Sequence, residues 1–242
     1  VGAAMTLVIR RGTPGKLILA QSYTPGDRYY NETSLLLHGN GSNGSTSIID
    51  SSPNPKIVTA VGNAQISTAQ SKFGGSSIAF DGSGDGLNVA GMPILGLRDF
   101  TIEYWAYNTR LSPSRYFIGS SGDVNTAGGI GIFWQDNSQF YVRINGIGGV
   151  EIIATPHALN QWVHVAVTRQ NTTVRLFFNG TLAGSVTKEG NITRAIAALG
   201  YTTASAAYDM QGHLAEMRVA DGIARYTANF TPPTAAFADG YF

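Results

Sequence analysis

The feature that most constrains this chain is a hydrophobic period of two. Residues 100–107 place Phe100, Ile102, Tyr104 and Ala106 on one side and Glu103, Trp105 and Tyr107 on the other. Residues 162–168 repeat the pattern, with Val163, Val165 and Val167 together. Successive side chains of a strand point to opposite faces, so such a segment gathers its apolar residues on one face only when it is extended. Strand-like runs recur at 35–38, 57–61, 76–80, 87–90, 116–119, 129–135, 139–145, 150–154, 174–178, 181–186 and 214–219. Turn residues separate them at a spacing of about 8 to 12 residues, as in a sandwich. Asn179-Gly180 joins two of these runs and tolerates the positive φ angles of a two-residue hairpin. The glycine-rich segment 81–86 reads as another tight hairpin turn, and 195–199 as at most a short turn or strand. No segment of helical period reaches the length of a secure helix. No fixed-period repeat points to a propeller or solenoid. The predicted fold is all-β, a two-sheet antiparallel sandwich. Its core is expected from the inward faces of 100–107, 163–167 and 174–178, with layers about 10 Å apart.

Composition agrees. Thirty glycines beside a 43% hydrophobic share describe many short strands and turns rather than a disordered chain. A length of 242 residues is ample for a two-sheet core. Charged residues are 13%, the net charge is +1, and no basic cluster exceeds Arg10-Arg11. Nucleic-acid binding by counterion release needs clustered cations, so no nucleic-acid partner is expected. The absence of cysteine excludes disulfides, thiolate metal sites and a cysteine nucleophile. The apolar runs are too short to span a membrane. Residues 1–20 carry two arginines in their middle and do not read as a signal peptide.

Residues 1–33 differ from the rest. Strand-like runs at 5–11 and 16–21 flank Gly12-Thr-Pro-Gly15, whose Pro14-Gly15 suits the centre of a type II turn. Residues 23–30 look like a linker. This N-terminal arm reads either as an extra edge hairpin on the sandwich or as a docking arm that adds strands to a neighbouring subunit. The main domain is expected over 34–242.

Several motifs lack the context their chemistry needs. Gly39-Asn-Gly41-Ser-Asn-Gly44 is followed by Ser45 to Asp50 and then two prolines, not by the helix a dinucleotide site requires. Asp81-Gly-Ser-Gly-Asp85-Gly86 resembles the start of a calcium loop, but Met92 stands where an EF-hand needs glutamate. There is no G-x-S-x-G elbow, and His38, His157, His164 and His213 are scattered. His164, beside Trp162, reads as packed against the sheet. Sugar binding calls for aromatic faces and planar polar groups on loops. Trp134-Gln-Asp-Asn137 ends a predicted strand, with Tyr116 and Tyr141 in neighbouring ones. Trp134, Asp136, Asn137, Tyr116 and Tyr141 are therefore the candidate ligand residues. Phe133, Trp134 and Tyr141 read equally as core.

Thr33-Ser-Leu-Leu-Leu-His38, Phe80-Asp-Gly-Ser-Gly-Asp85, Asp99-Phe-Thr-Ile-Glu-Tyr-Trp105, Trp162-Val-His-Val-Ala-Val-Thr-Arg169 and the tail Ala224-Arg-Tyr-Thr-Ala-Asn-Phe-Thr-Pro-Pro-Thr-Ala-Ala-Phe237 follow one another along the chain. In that order and spacing they resemble the laminin G-like jelly rolls of the concanavalin A-like superfamily, over residues 33–238. The tail is similar to those of bacteriophage structural proteins and bacterial surface proteins. The resemblance implies a jelly roll, and one fold hosts many functions. Glucan-cleaving relatives carry a Glu-x-Asp-x-x-Glu strand, and none of the five glutamates here has that spacing, so no enzyme is expected. Relatives also hold a structural calcium ion with an Asp-Ser-Ser-Gly-Asn segment and an acidic pair in the last strand. The matching positions here are Asp50, Asn54 and Glu216, with the acidic pair reduced to Ala215-Glu216 and prolines on both sides of Asn54. Without calcium, Asp50 would cap a turn. The resemblance further implies a virion protein, as capsid decoration or a head or tail fibre component. Such a protein would meet other virion subunits through the arm, meet a host surface glycan or protein through the loops, and form a homo-oligomer, a trimer among the options. The alternative is a lectin-like domain of a bacterial surface or extracellular protein.

Overall fold

The computed structural model describes residues 26–110, 115–120, 127–135, 139–145, 149–155, 158–201 and 209–240; the arm's two strand-like runs lie outside them. Fifteen strands form among the described residues: β1 (Thr33–Leu37), β2 (Ile57–Val61), β3 (Gln65–Ser67), β4 (Ser77–Asp81), β5 (Gly86–Ala90), β6 (Phe100–Asn108), β7 (Arg115–Ser120), β8 (Ile130–Gln135), β9 (Gln139–Ile144), β10 (Val150–Ala154), β11 (Trp162–Gln170), β12 (Thr173–Phe178), β13 (Thr181–Thr187), β14 (Ile196–Leu199) and β15 (Gln211–Asp221). They make two antiparallel sheets in a jelly-roll sandwich. The first runs β13-β12-β11-β6-β15-β4-β3, with β1 also paired to β15; the second runs β10-β9-β8-β7-β14-β5-β2. None of the described helices is long and apolar enough to cross a membrane.

The period of two places the core as expected. Phe100, Ile102, Tyr104 and Ala106 of β6 and Val163, Val165 and Val167 of β11 are all buried between the sheets. The three segments expected to supply the core lie side by side in the first sheet. The facing layer comes from the second, through residues such as Leu87, Ile118, Ile132, Phe140 and Leu199. Asn179 (φ 47°) and Gly180 (φ 76°) turn β12 into β13 as the pair Asn-Gly predicts.

One turn differs from expectation. The segment 81–86 is not a hairpin, because β4 belongs to the first sheet and β5 to the second. It is a corner between layers. Asp85, 1% exposed, accepts the backbone N–H groups of Asn63 and Asp81 at 2.5 and 2.7 Å, and Asp209 accepts that of Gly84 at 2.8 Å. Such bonds satisfy the donors of a sharply bent backbone, and neither the strand pattern nor the glycines reveal which sheet the exit strand joins.

The last strand organises the first sheet. β15 pairs with β6 along its length, with β4 through Gln211–Leu214, and with β1 through Met217–Ala220. A bulge between Ala215 and Arg218, with Glu216 at φ 51°, separates the two halves. Downstream, residues 222–240 fold back over the outer face of the same sheet. Thr101 Oγ1 donates to the Ile223 carbonyl and accepts from Arg225 N–H, and Thr168 Oγ1 donates to the Tyr226 carbonyl. Phe230 N–H donates to the Gly180 carbonyl at 2.9 Å. The rings of Tyr226 and Phe230 stack 3.6 Å apart, and Phe230 stands edge-on to His164 and Phe177. The tail therefore buries part of the second face of β6 and β11, the face their alternation had marked as outward, at Thr101, Glu103, His164 and Thr168.

Candidate functional site

The outward charges of the first sheet become buried beneath the tail. Glu103, fully buried, accepts from Arg218 Nε and Nη2 at 2.9 and 2.6 Å and from the Tyr226 hydroxyl at 2.8 Å, and His164 Nε2 lies 3.2 Å away. Asp27 receives Arg218 Nη1 at 2.7 Å and Arg225 Nη2 at 2.5 Å, tying the segment ahead of β1 to the tail. Burial acts to raise the pKa of Glu103. The charge of Arg218, the His164 contact and Arg225 outweigh it and hold the carboxyl well below the usual carboxylate range. This network is structural, and it is why the tail motif carries arginine and tyrosine.

The three residues expected to hold calcium do not fit the ion. Asp50 Oδ1 accepts Leu36 N–H and Ser52 N–H at 2.8 and 2.9 Å, and its Oδ2 accepts the Ser52 hydroxyl and Lys56 N–H at 2.9 and 2.6 Å. Four donors fill the lone pairs a hard cation needs. Asn54 is exposed. The bulge turns Glu216 toward His38, whose Nδ1 lies 3.0 Å from Oε2, and that same oxygen accepts Phe237 N–H at 2.7 Å. Among the described residues no group of three or more histidine or acidic side chains is placed to hold a metal. Asp50 is a loop cap, the other role its sequence position suggests. Millimolar calcium or a chelator should accordingly leave the melting temperature unchanged within about 1 °C, since only binding to the folded form shifts it. A chelator-induced drop of several degrees would overturn this assignment.

His38 gives the fold a pH dependence. Burial opposes the charge of the ring; the hydrogen bond and charge of Glu216, with Asp239 nearby, more than offset it, so its pKa is raised. A raised histidine contributes stability that is fully present below its unfolded value of about 6.5 and is lost as pH rises through the folded one. Urea midpoints should thus decline as pH climbs above about 6.5, and His38→Gln should flatten the decline. An unchanged slope in the variant would refute it.

The ligand residues expected from sequence separate by face. Trp134 is fully buried in the inter-sheet core, as one of the two readings of its position has it. Tyr141, opposite Phe133 across the β8–β9 pair, lies on the other face of the sheet and is buried as well, 9% exposed beside Phe133 at 3%, in a small cluster apart from the main core. It stacks on Phe133 with centroids 5.3 Å apart and planes at 9°. Its hydroxyl donates to Gln139 Oε1 at 2.7 Å. The Arg143 guanidinium lies 5.4 Å from both ring centroids, and its Nε donates to Glu151 Oε1 at 2.5 Å. Backbone register places Tyr116 opposite Phe133, Phe133 opposite Tyr141, and Tyr141 opposite Ile153, which is 49% exposed. Asp136 and Asn137 lie outside the described residues. Sequence reasoning missed Arg143 and Glu151. Their signal was a pair of opposite charges at outward positions of adjacent strands.

Residues 81–224, more than half the chain, match the family described as the concanavalin A-like lectin/glucanases superfamily, Laminin_G_3. The chain belongs to this superfamily. No curated protein sequence matches it. Among solved structures, this lectin/glucanase-type domain is similar to domain 4 of AbnA, a GH43 extracellular arabinanase from Geobacillus stearothermophilus, in complex with arabinotriose. The TM-score is 0.56 at 16% identity, covering 78% of this chain and 92% of that one. The botulinum neurotoxin serotype D binding domain gives a TM-score of 0.63 at 15% identity, covering 82% of this chain and 50% of that one. The binding domain of botulinum neurotoxin DC in complex with SialylT gives 0.57 at 16%, covering 81% and 50%. The lectin/glucanase-type domain thus spans about half the length of these neurotoxin domains. At such identities the likeness is one of fold.

Proposed function

We propose that this domain is a non-enzymatic adhesion module of a bacteriophage virion, a capsid decoration or a head or tail fibre component, that holds a host surface glycan or protein. The observation that carries the reading is the outer face of β8–β10, where Ile153 is 49% exposed beside the Arg143–Glu151 ion pair, and the Phe133–Tyr141 stack is buried beneath the guanidinium as its support. A planar guanidinium and a carboxylate, held in place by aromatic rings beneath them and flanked by an exposed apolar side chain, suit sugar or peptide recognition. The tail motif supports the phage assignment by its resemblance to phage structural proteins. The similarity to an arabinanase domain bound to arabinotriose favours a second reading, a lectin-like domain on a bacterial surface or outside the cell.

Binding rather than catalysis is favoured by what the carboxylates do. Glu103, Glu151 and Glu216 are engaged by arginine or histidine. Burial and the neighbouring Asp81 raise Asp85, but its oxygens serve backbone N–H groups in a closed corner. The arm, residues 1–33, would dock on a neighbouring subunit in a homo-oligomer. Its last residues include Asp27, which Arg218 and Arg225 require, so a truncation that tests docking should stop at residue 25.

A glycan array probed with the chain and with Tyr141→Ala tests the adhesion reading. Specific binding by the first, weakened about tenfold in the second, is the expected result. Binding indifferent to Tyr141, or none, would sink this site. Residues 26–242 should fold yet fail to enter particles, and normal incorporation would refute the docking arm.

A further inference from the structure

We propose a second saccharide platform on the outer face of the first sheet, formed by Tyr107, Trp162 and His213, where a sugar ring stacks on the aromatic faces and one hydroxyl donates to His213 Nε2. The three residues form one cross-strand row, since Tyr107 is opposite both Trp162 of β11 and His213 of β15. The row continues through Ala79 to Gln65 and contains no carboxylate. The tail's Phe230 packs on His164 and Phe177, elsewhere on that face. Tyr107, Trp162 and His213 remain only half-buried.

The ring geometry leaves faces available. Tyr107 and Trp162 have centroids 5.7 Å apart with planes at 59°, and Tyr107 meets His213 at 6.1 Å and 78°. Tilted rings do not consume one another's faces as a parallel stack does. Trp105 and Trp134 are buried, so Trp162 is the tryptophan with a partly open ring.

The imidazole is oriented by a proton count. The Ser77 hydroxyl has one proton and lies 2.7 Å from the Gln70 carbonyl, which only accepts. His213 Nδ1, 3.0 Å from the same hydroxyl, must therefore be the donor of that contact. Burial lowers the His213 pKa, which keeps the ring neutral and leaves Nε2 with a lone pair.

The platform thus offers π faces beside a fixed acceptor about one sugar ring away. A sugar ring has the complement, an apolar C–H face with hydroxyl donors at its edge. A proline-rich segment stacks but brings no N–H from its prolines for Nε2. A nucleic-acid strand needs a basic groove along its backbone, which this row lacks. The inference shares with the proposed function the premise that the domain binds saccharide, but it uses the opposite sheet.

The test is a titration of the full chain with cellotriose, maltotriose and sialyllactose, followed by tryptophan emission and calorimetry. At least one should shift the emission and shield Trp162 from acrylamide. Trp162→Ala and His213→Ala should each weaken binding about tenfold, while Ile57→Ala, at an exposed position of the other sheet and in neither site, leaves it unchanged. Far-ultraviolet spectra and melting curves check the folding of each variant, and shielding in the unaltered chain reads the site without any substitution. Binding that survives Trp162→Ala but is lost in Tyr141→Ala overturns the platform and leaves the β8–β10 site standing. No response to any of the three sugars overturns the platform; silence on the glycan array as well removes the lectin reading with it.

Discussion

Arg218→Met should destabilise the folded chain by about 3–5 kcal/mol, the usual cost of removing one partner from a buried ion pair. Glu103 is fully buried, and Arg218 supplies two of the hydrogen bonds that its Oε1 accepts. With methionine there, the Tyr226 hydroxyl and the His164 contact remain, too little to offset the desolvation of a carboxylate. Asp27 loses one of its arginines as well, which loosens the segment leading into β1. The long flat side chain of Arg218 also lies over the Phe237 ring at 3.9 Å, a contact methionine keeps only in part. Urea unfolding reads the loss directly. The double variant Glu103→Leu/Arg218→Met should regain most of it, because the penalty comes from the orphaned charge rather than from the pair's absence. A single variant within about 1 kcal/mol of the unaltered chain would show that the network is solvated and the tail loosely held. The pH dependence has a definite sign. A depressed carboxyl contributes stability that is present above its unfolded value of about 4.3 and is lost only as pH falls through the folded one. The contribution of Glu103 is therefore constant near neutrality, where that of His38 changes.

Gly180→Ala should cost roughly 2–4 kcal/mol, through backbone strain and a steric clash acting together. Gly180 sits at φ 76°, and a Cβ there would stand 1.9 Å from the Phe230 carbonyl oxygen and 2.9 Å from its carbon. Backbone atoms cannot swing away as a side chain can. The tail must lift, breaking the Phe230 N–H bond to Gly180 and the Leu182 N–H bond to Asn229 Oδ1. Phe177 and His164 would then lose their cover. Gly84→Ala is the control: φ is 79°, yet nothing lies within 4 Å of its Cβ, so it should cost only about 1 kcal/mol. Limited chymotrypsin digestion should cut the Gly180 variant near Tyr226 and Phe230 while sparing the control. Equal losses in the two variants would mean that the tail does not press on the hairpin.

Both predictions concern the same surface, the outer face of the first sheet, which local sequence cannot describe. The alternation in β6 assigns Phe100, Ile102, Tyr104 and Ala106 to the core correctly. It equally assigns Glu103 to solvent, and Glu103 is buried because a segment more than a hundred residues away covers it. Trp134 and Tyr141 look alike as aromatic residues near one predicted turn. Both are buried, but the β8–β9 ladder puts Trp134 between the sheets and Tyr141 on the opposite face against Phe133. The corner at 81–86 was legible as a turn, whereas its destination was not. Turn residues fix a local change of direction, while partner strands are chosen by long-range pairing. The short β3 carried too few residues to show a period.

Sequence by itself determined that this chain is extended, layered and punctuated by turns, and where its hairpin at Asn179-Gly180 falls. Those properties depend on side-chain spacing and on φ preferences, which act between near neighbours. Only the tertiary structure decided that Asp50 spends its oxygens on the loop, that Glu103 is sealed under the tail, and that Tyr107, Trp162 and His213 stand in a row. Each of these depends on which distant backbone arrives beside a residue, and burial, hydrogen-bond satisfaction and charge follow from that arrival.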